Sequence, residues 1–241
     1  LPHLGQPLIA TLKQDNRNYS DYPVLLLHLA MDFLQLIQPY RGQPLTHQLL
    51  LSVLKGYKRP NDKIHELLAA GVLLPVRKGL YVAAAPDSST PEPVLLANHI
   101  YGPSYVSMES ALSFYGMIPE RVYELASATS KVSRRFHTPV GTFTYTRLPL
   151  PYYSFGQVQK EVAPGQRALM ASPEKALLDK VITTAGLTLR SQSAAADYLL
   201  ENLRLDESML REMDIVQIET WLPDSPKKES IAMMLKLLRK L

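Results

Sequence analysis

The chain has no cysteine among its 241 residues, which excludes disulfides, thiolate metal sites and cysteine nucleophiles. That fits a reducing cytoplasm. Long apolar runs are missing as well. The longest, residues 24–37, is too short to cross a bilayer and carries Asp32, so no membrane partner is expected. It reads as a core helix with His28, Asp32 and Gln35 as its wet stripe. The opening LPHLGQPL lacks a basic segment ahead of an apolar run and is not expected to be a signal peptide. Catalytic signatures are absent too: there is no glycine-rich phosphate loop, no HExxH and no GxSxG. Six histidines (His3, His28, His47, His65, His99, His137) lie scattered without metal-ligand spacing. Ser107, His137 and Asp179 would form a triad on paper, yet Ser107 reads as a helix N-cap and Asp179 as a helix-surface acid. No enzyme, metal or cofactor is expected.

What is present describes a globular protein: 46% hydrophobic and 20% charged residues, enough chain for one large domain or two modest ones. The net charge of +4 names no partner, but its distribution is informative. Between Arg41 and Lys78 seven Lys/Arg stand against two acids, whereas from Ser191 onward seven face nine acids. The basic surplus therefore surrounds the stretch PNDKIHELLAAGVLLPVRKGLYV, residues 60–82. That stretch reads as a short helix, a glycine stop, a strand, a basic turn and a second strand. Helices are expected near 22–38, 44–55 and 60–70, with Ile64, Leu67 and Leu68 inward on the third and Gly71 ending it. Strands at 72–76 and 80–84 would pair across Arg77-Lys78-Gly79.

This order predicts a winged helix-turn-helix, whose third helix enters the major groove of DNA while the hairpin lies along the backbone. Arg77 and Lys78 at the hairpin tip, and Lys55, Lys58 and Arg59 at the entry to the third helix, are the expected phosphate contacts. Base reading falls to the outer face of that helix, where Asp62, Glu66 and Ala69 point most directly outward with Lys63 and His65 on the flanks. Asn61 is a further expected DNA contact. Two carboxylates facing a polyanion are awkward: Asp62 is placed to help cap the helix, and Glu66 to accept from a cytosine amine.

PDSSTPEP, residues 86–93, reads as a linker. It divides a winged-helix domain with an N-terminal extension, 1–86, from a mixed C-terminal domain, 94–241, an α+β organisation without βαβ alternation. In the second part a helix is expected at 107–115 and strands at 122–128, 135–138 and 141–148. A further helix is expected from Pro173 to about 184, with Ser172 as N-cap. Ala176, Leu177, Leu178 and Val181 would face its core, and Glu174 and Lys175 would mark a wet start. Two or three helices should finish the chain. The last would put Ile231, Met234, Leu235 and Leu238 on one side, docked on its own domain or, alternatively, on a partner groove or membrane surface.

Three segments of this second part, YVSMESALSFYGMIPE, RRFHTPVGTFTYTRL and ASPEKALLDKV, resemble the AbiEi-type antitoxins of type IV abortive-infection toxin–antitoxin systems. The matching pieces run from Ser107 to Gly116, Thr138 to Tyr145 and Pro173 to Asp179. Upstream, Arg77, Gly79 and Tyr81 match the family's "R-x-G-x-Y". The resemblance spans roughly residues 40–190 and leaves the first 40 and last 50 unmatched. It implies a bifunctional antitoxin that represses its own operon at inverted repeats and counters a nucleotidyltransferase-like toxin; it supplies no catalytic residues. Lys131, Arg134 and Arg135 form a further basic cluster that would extend the DNA surface or meet a partner. The competing expectation is a protein-interaction module whose winged helix holds a partner without DNA.

Overall fold

A computed structural model describes residues 30–84, 90–120 and 122–241. The start of the first expected helix, with His28, and the linker residues Pro86, Ser88 and Ser89 lie outside them.

The first described helix, α1 (30–36), turns at Gly42, whose φ of 72° favours glycine. A two-residue strand, β1 (Leu45–Thr46), leads directly into α2 (His47–Val53). Thr46 caps α2, its Oγ1 accepting from the Leu49 amide at 3.2 Å. Next comes α3 (Pro60–Ala69), opened by a proline in its first turn. It ends as expected at Gly71 (φ 66°), with the Val72 amide bonded to the Leu67 carbonyl and the Gly71 amide to that of Leu68. The hairpin of β2 (Leu73–Arg77) and β3 (Leu80–Ala83) follows, turning at Gly79 (φ 78°). β1 pairs with β3, giving an antiparallel sheet ordered β1-β3-β2. Phe33, Ile37, Leu50, Leu54, Ile64 and Leu67 pack on one face of it with Leu45, Leu73 and Ala83.

The opposite face of this small sheet is not solvent. Alternation along β3 sends Tyr81 and Ala83 to the first core but Leu80 and Val82 to a second. A register shift between Pro75 and Arg77 brings Val76 to the same side, against Leu96, Ala97 and Ile100. Those three belong to α4 (Pro93–Ile100), which the sequence reading left unassigned. The hairpin is thus buried on both faces.

The second part is built on a six-stranded mixed sheet. Its strands are β4 (Ser104–Val106), β5 (Glu124–Thr129), β6 (Arg134–Thr138), β7 (Gly141–Arg147), β8 (Gln157–Ala163) and β9 (Gln166–Ala171), in the order β6-β7-β5-β4-β9-β8. β5 and β7 run parallel, as do β4 and β9; the other pairs are antiparallel. α4 covers one face, where the Tyr145 hydroxyl donates to the Ala97 carbonyl at 2.7 Å. The other face carries α5 (Met108–Phe114) and α6 (Pro173–Thr183). The remaining chain packs around α6 as α7 (Gln192–Ala196), a π-helical turn (Asp197–Asn202), α8 (Glu207–Arg211), α9 (Ile215–Trp221) and α10 (Lys228–Leu238). That is more helix than the two or three elements expected. Ile231, Met234, Leu235 and Leu238 of α10 are buried in the main core, so its apolar face is satisfied within the chain. The architecture is α+β, and among the described residues no helix is long and apolar enough to cross a membrane.

Candidate nucleic-acid interface

Inward placement of Ile64 and Leu67 leaves Asn61, Asp62, His65 and Glu66 exposed on α3, the face expected from spacing. Lys55, Lys58 and Arg59 are exposed on the turn that enters it. Among the described residues Lys55 and Lys58 have no acidic partner. Arg59 meets Asp62 at 3.5 Å, and Lys63 meets Glu66 at 3.1 Å. Asp62 therefore faces the preceding arginine, and the residue at the cap position, Arg59, makes no side-chain cap bond. Lys63 also lies over the Tyr57 ring, 5.0 Å from its centre, and its side chain is only 19% exposed. Each of the two outward carboxylates of α3 is thus paired with a cation, though both stay exposed.

The hairpin tip differs from expectation. Arg77, though exposed, is engaged within the chain: its guanidinium donates to the Ile100 carbonyl and lies over the Phe136 ring of β6, 5.8 Å from its centre. Lys78 is exposed and unpaired among the described residues. The cause is the double burial of the hairpin, which presses its tip onto the second sheet. Two groups of cations far apart in sequence are thereby joined. Arg134 and Lys131 lie over the Tyr101 ring at 5.7 and 5.6 Å, and Tyr101 packs against Phe136 at 5.6 Å. Lys131 also donates to the Gly102 carbonyl at 2.6 Å. Arg135 does not join them. Adjacent residues on a strand point to opposite faces, and Arg135 forms a bidentate pair with Glu124 that holds this carboxyl below its usual range.

The second part also contains a buried polar cluster that the sequence reading placed in solvent. Lys175 and Asp179, one turn apart on α6, are both 0% exposed and meet at 2.6 Å. The same Asp179 oxygen, Oδ1, accepts from the Tyr152 hydroxyl at 2.8 Å; Oδ2 accepts from Ser107 at 2.7 Å and Tyr105 at 3.0 Å. The Lys175 ammonium sits 3.2 Å from the centre of the Tyr152 ring. Burial lowers Lys175 to about 8, against the pull of Asp179, while burial followed by the Asp179 charge pushes the Tyr105 and Tyr152 phenols up. The expected wet start at Lys175 and surface acid at Asp179 are both overturned. Ser107 occupies the cap position of α5, but its hydroxyl makes no cap bond and serves Asp179 instead. The paper triad also dissolves, because His137 is exposed on β6 and bonds Thr142 at 3.2 Å. With all three hydroxyls and the ammonium turned onto Asp179 and no solvent contact, this cluster holds elements together.

A groove of about 630 Å³ opens on the α5–α6 side of the sheet. Its walls carry the ion pairs Glu109–Lys180 and Glu124–Arg135 over an apolar floor that includes Leu112 and Ala126. Each cation there is matched by its own carboxylate, so the groove offers no net attraction for an anion. Among the described residues no group of His, Asp and Glu is placed to hold a metal ion.

No family model and no curated protein matches the chain. Among solved structures it resembles the protein described as "Crystal structure of RV2827C protein from Mycobacterium tuberculosis", with a TM-score of 0.59 at 16% identity. The match covers 93% of this chain and 79% of that one. At this identity the likeness concerns the fold.

Proposed function

We propose that residues 30–84 are a winged helix-turn-helix and that the protein is a DNA-binding repressor of its own promoter. The observation that carries the reading is topological and chemical at once. The order α1-β1-α2-α3-β2-β3 with sheet order β1-β3-β2 supports a winged helix, and α3 is exposed beside Lys55 and Lys58, which have no acidic partner among the described residues. Recognition would rest on Asn61 and His65, with Lys55, Lys58, Arg59 and Lys78 on phosphates. Lys131 and Arg134 extend that basic surface onto the second sheet, and Arg77 braces the joint between them. The resemblance to AbiEi-type antitoxins adds a cytoplasmic protein that binds inverted repeats and counters a nucleotidyltransferase-like toxin through its second domain.

A duplex of the chain's own upstream region tests this by fluorescence anisotropy. Affinity should fall by orders of magnitude between roughly 50 and 200 mM salt if several phosphates are neutralised. Binding that ignores salt, or no binding, overturns the reading. The burial of the hairpin against the second region favours one alternative, a protein-interaction module. That alternative is supported by stable co-purification with a neighbouring gene's product in the absence of promoter binding.

A further inference from the structure

We infer that Val132 and Leu150 form an apolar wedge that enters the minor groove of the bound duplex beside the hairpin; this rests on the DNA reading above. Val132 is 66% exposed and Leu150 68% exposed. Single exposed apolar residues are ordinary, but this pair sits on two loops fastened to one another and to the sheet. The Arg147 amide donates to Ser133 Oγ at 2.9 Å, and the Leu148 amide donates to the Thr129 carbonyl at 2.9 Å. The Tyr101 hydroxyl holds the Val132 carbonyl at 3.1 Å, and Thr129 Oγ1 accepts from the Lys131 amide at 3.2 Å. Both side chains are therefore presented by ordered backbone, and little entropy remains to be lost when they are covered.

Their surroundings specify the partner. Lys131, Arg134 and Arg147 flank the two loops, and all three are exposed. From Leu125 to Lys160 the sequence contains no Asp or Glu, and Glu124, at the far end of β5, is bound to Arg135 on the opposite face. Arg77 over Phe136 places the hairpin tip against this same corner of the sheet. In a DNA-bound winged helix the tip lies on the backbone, so the corner next to it faces the adjacent groove. Apolar side chains flanked by cations are what minor-groove wedge proteins use, inserting between base steps while Arg and Lys hold the phosphates.

Full-length protein carrying Val132→Ser and Leu150→Ser tests this against duplexes of the upstream region with 2-aminopurine scanned through them. Wild type should raise the fluorescence at a discrete step, reporting unstacking. The double variant should lose that rise and bind roughly tenfold more weakly, the order expected for one or two lost apolar contacts, with an unchanged salt slope. Both positions are exposed, and an unchanged circular dichroism spectrum establishes that the variant is folded. A variant that keeps both affinity and fluorescence overturns the inference, as does wild type that binds without a rise at any position. Wild type that binds no duplex overturns the DNA reading itself. Loss of phosphatidylglycerol-vesicle binding in the variant, with DNA behaviour intact, overturns the wedge in favour of a membrane-contacting loop pair.

Discussion

At the start of α3 the cap residue Arg59 meets Asp62 at 3.5 Å, and within the helix Lys63 meets Glu66 at 3.1 Å, each pair three residues apart with at least one partner in water. On α6, Lys175 and Asp179 are four apart, meet at 2.6 Å, and neither touches solvent. Much the same sequence pattern, a cation followed a helical turn later by an acid, thus serves opposite ends. An exposed pair contributes about 0–1 kcal/mol and is screened by salt, so a phosphate can exchange with its carboxylate at small cost. A buried pair is weakly stabilising as a pair but very costly to break, because the survivor is left charged in a dry interior. The first region keeps its charges available; the second uses one pair to fasten α6 to β4, α5 and the turn at Tyr152.

The sharpest way to break the comparison is Asp179→Ala. It orphans a buried ammonium and three hydroxyls together, and urea denaturation should show a loss of about 3–5 kcal/mol. Asp62→Ala on α3, measured identically, should stay within about 0.5 kcal/mol. A loss below about 1 kcal/mol for Asp179→Ala would mean that water reaches the cluster and that the contrast with α3 is false.

A smaller effect sharpens it through pH. The folded state holds Lys175 at about 8, below the 10.5 of an unfolded lysine. Between these values the unfolded chain carries the proton and the folded chain does not, so stability rises with pH in that window. Tyr105 and Tyr152 act in the opposite sense. Their folded values are raised above 10, so their contribution is present below pH 10 and is lost above it, once unfolded tyrosines ionise. Lys175 alone would raise stability by about 2 kcal/mol from pH 8 to pH 10. With the two tyrosines subtracted the net climb should be about 1 kcal/mol, after which the profile turns down. Lys175→Met, destabilised at every pH, should show no climb. A profile that falls steadily from pH 8 in the wild type would show that Lys175 stays protonated throughout.

The contrast also explains what could be read in advance. The α3 hairpin unit was legible because its signals are local: Gly71 and Gly79 at positive φ, and Ile64 and Leu67 on one helical face. The fate of Arg77 was not, since it depends on Ile100 and Phe136, distant in sequence. Lys175 and Asp179 misled because an i, i+4 pair looks alike wet or dry. A usable signal did exist. Ala176, Leu177, Leu178 and Val181 span more than half the circumference of α6, and a helix apolar over so wide an arc is buried nearly all round. The strands β8 and β9 escaped because weak strand formers outnumber the two valines of QVQKEVA, and QRALMA has no β-branched residue at all. Only pairing with one another and with β4 makes them a sheet.

The smallest expected stability change belongs to Lys55→Ala/Lys58→Ala, and it separates binding from folding most cleanly. Neither ammonium has an acidic partner among the described residues and both lie in solvent, so nothing in the fold depends on them. Denaturation midpoints should move by no more than about 0.5 kcal/mol. If both touch phosphates, the slope of log affinity against log salt should flatten by about 2, one unit for each lost contact. Affinity should fall evenly across unrelated sequences, because phosphate contacts carry no base information. His65→Ala should do the reverse, narrowing the gap between the upstream duplex and a scrambled one while leaving the slope in place. If Lys55→Ala/Lys58→Ala leaves the slope untouched, the entry to α3 is not on the backbone. The DNA face must then be sought at Lys131 and Arg134, and the availability of the α3 charges would have another explanation.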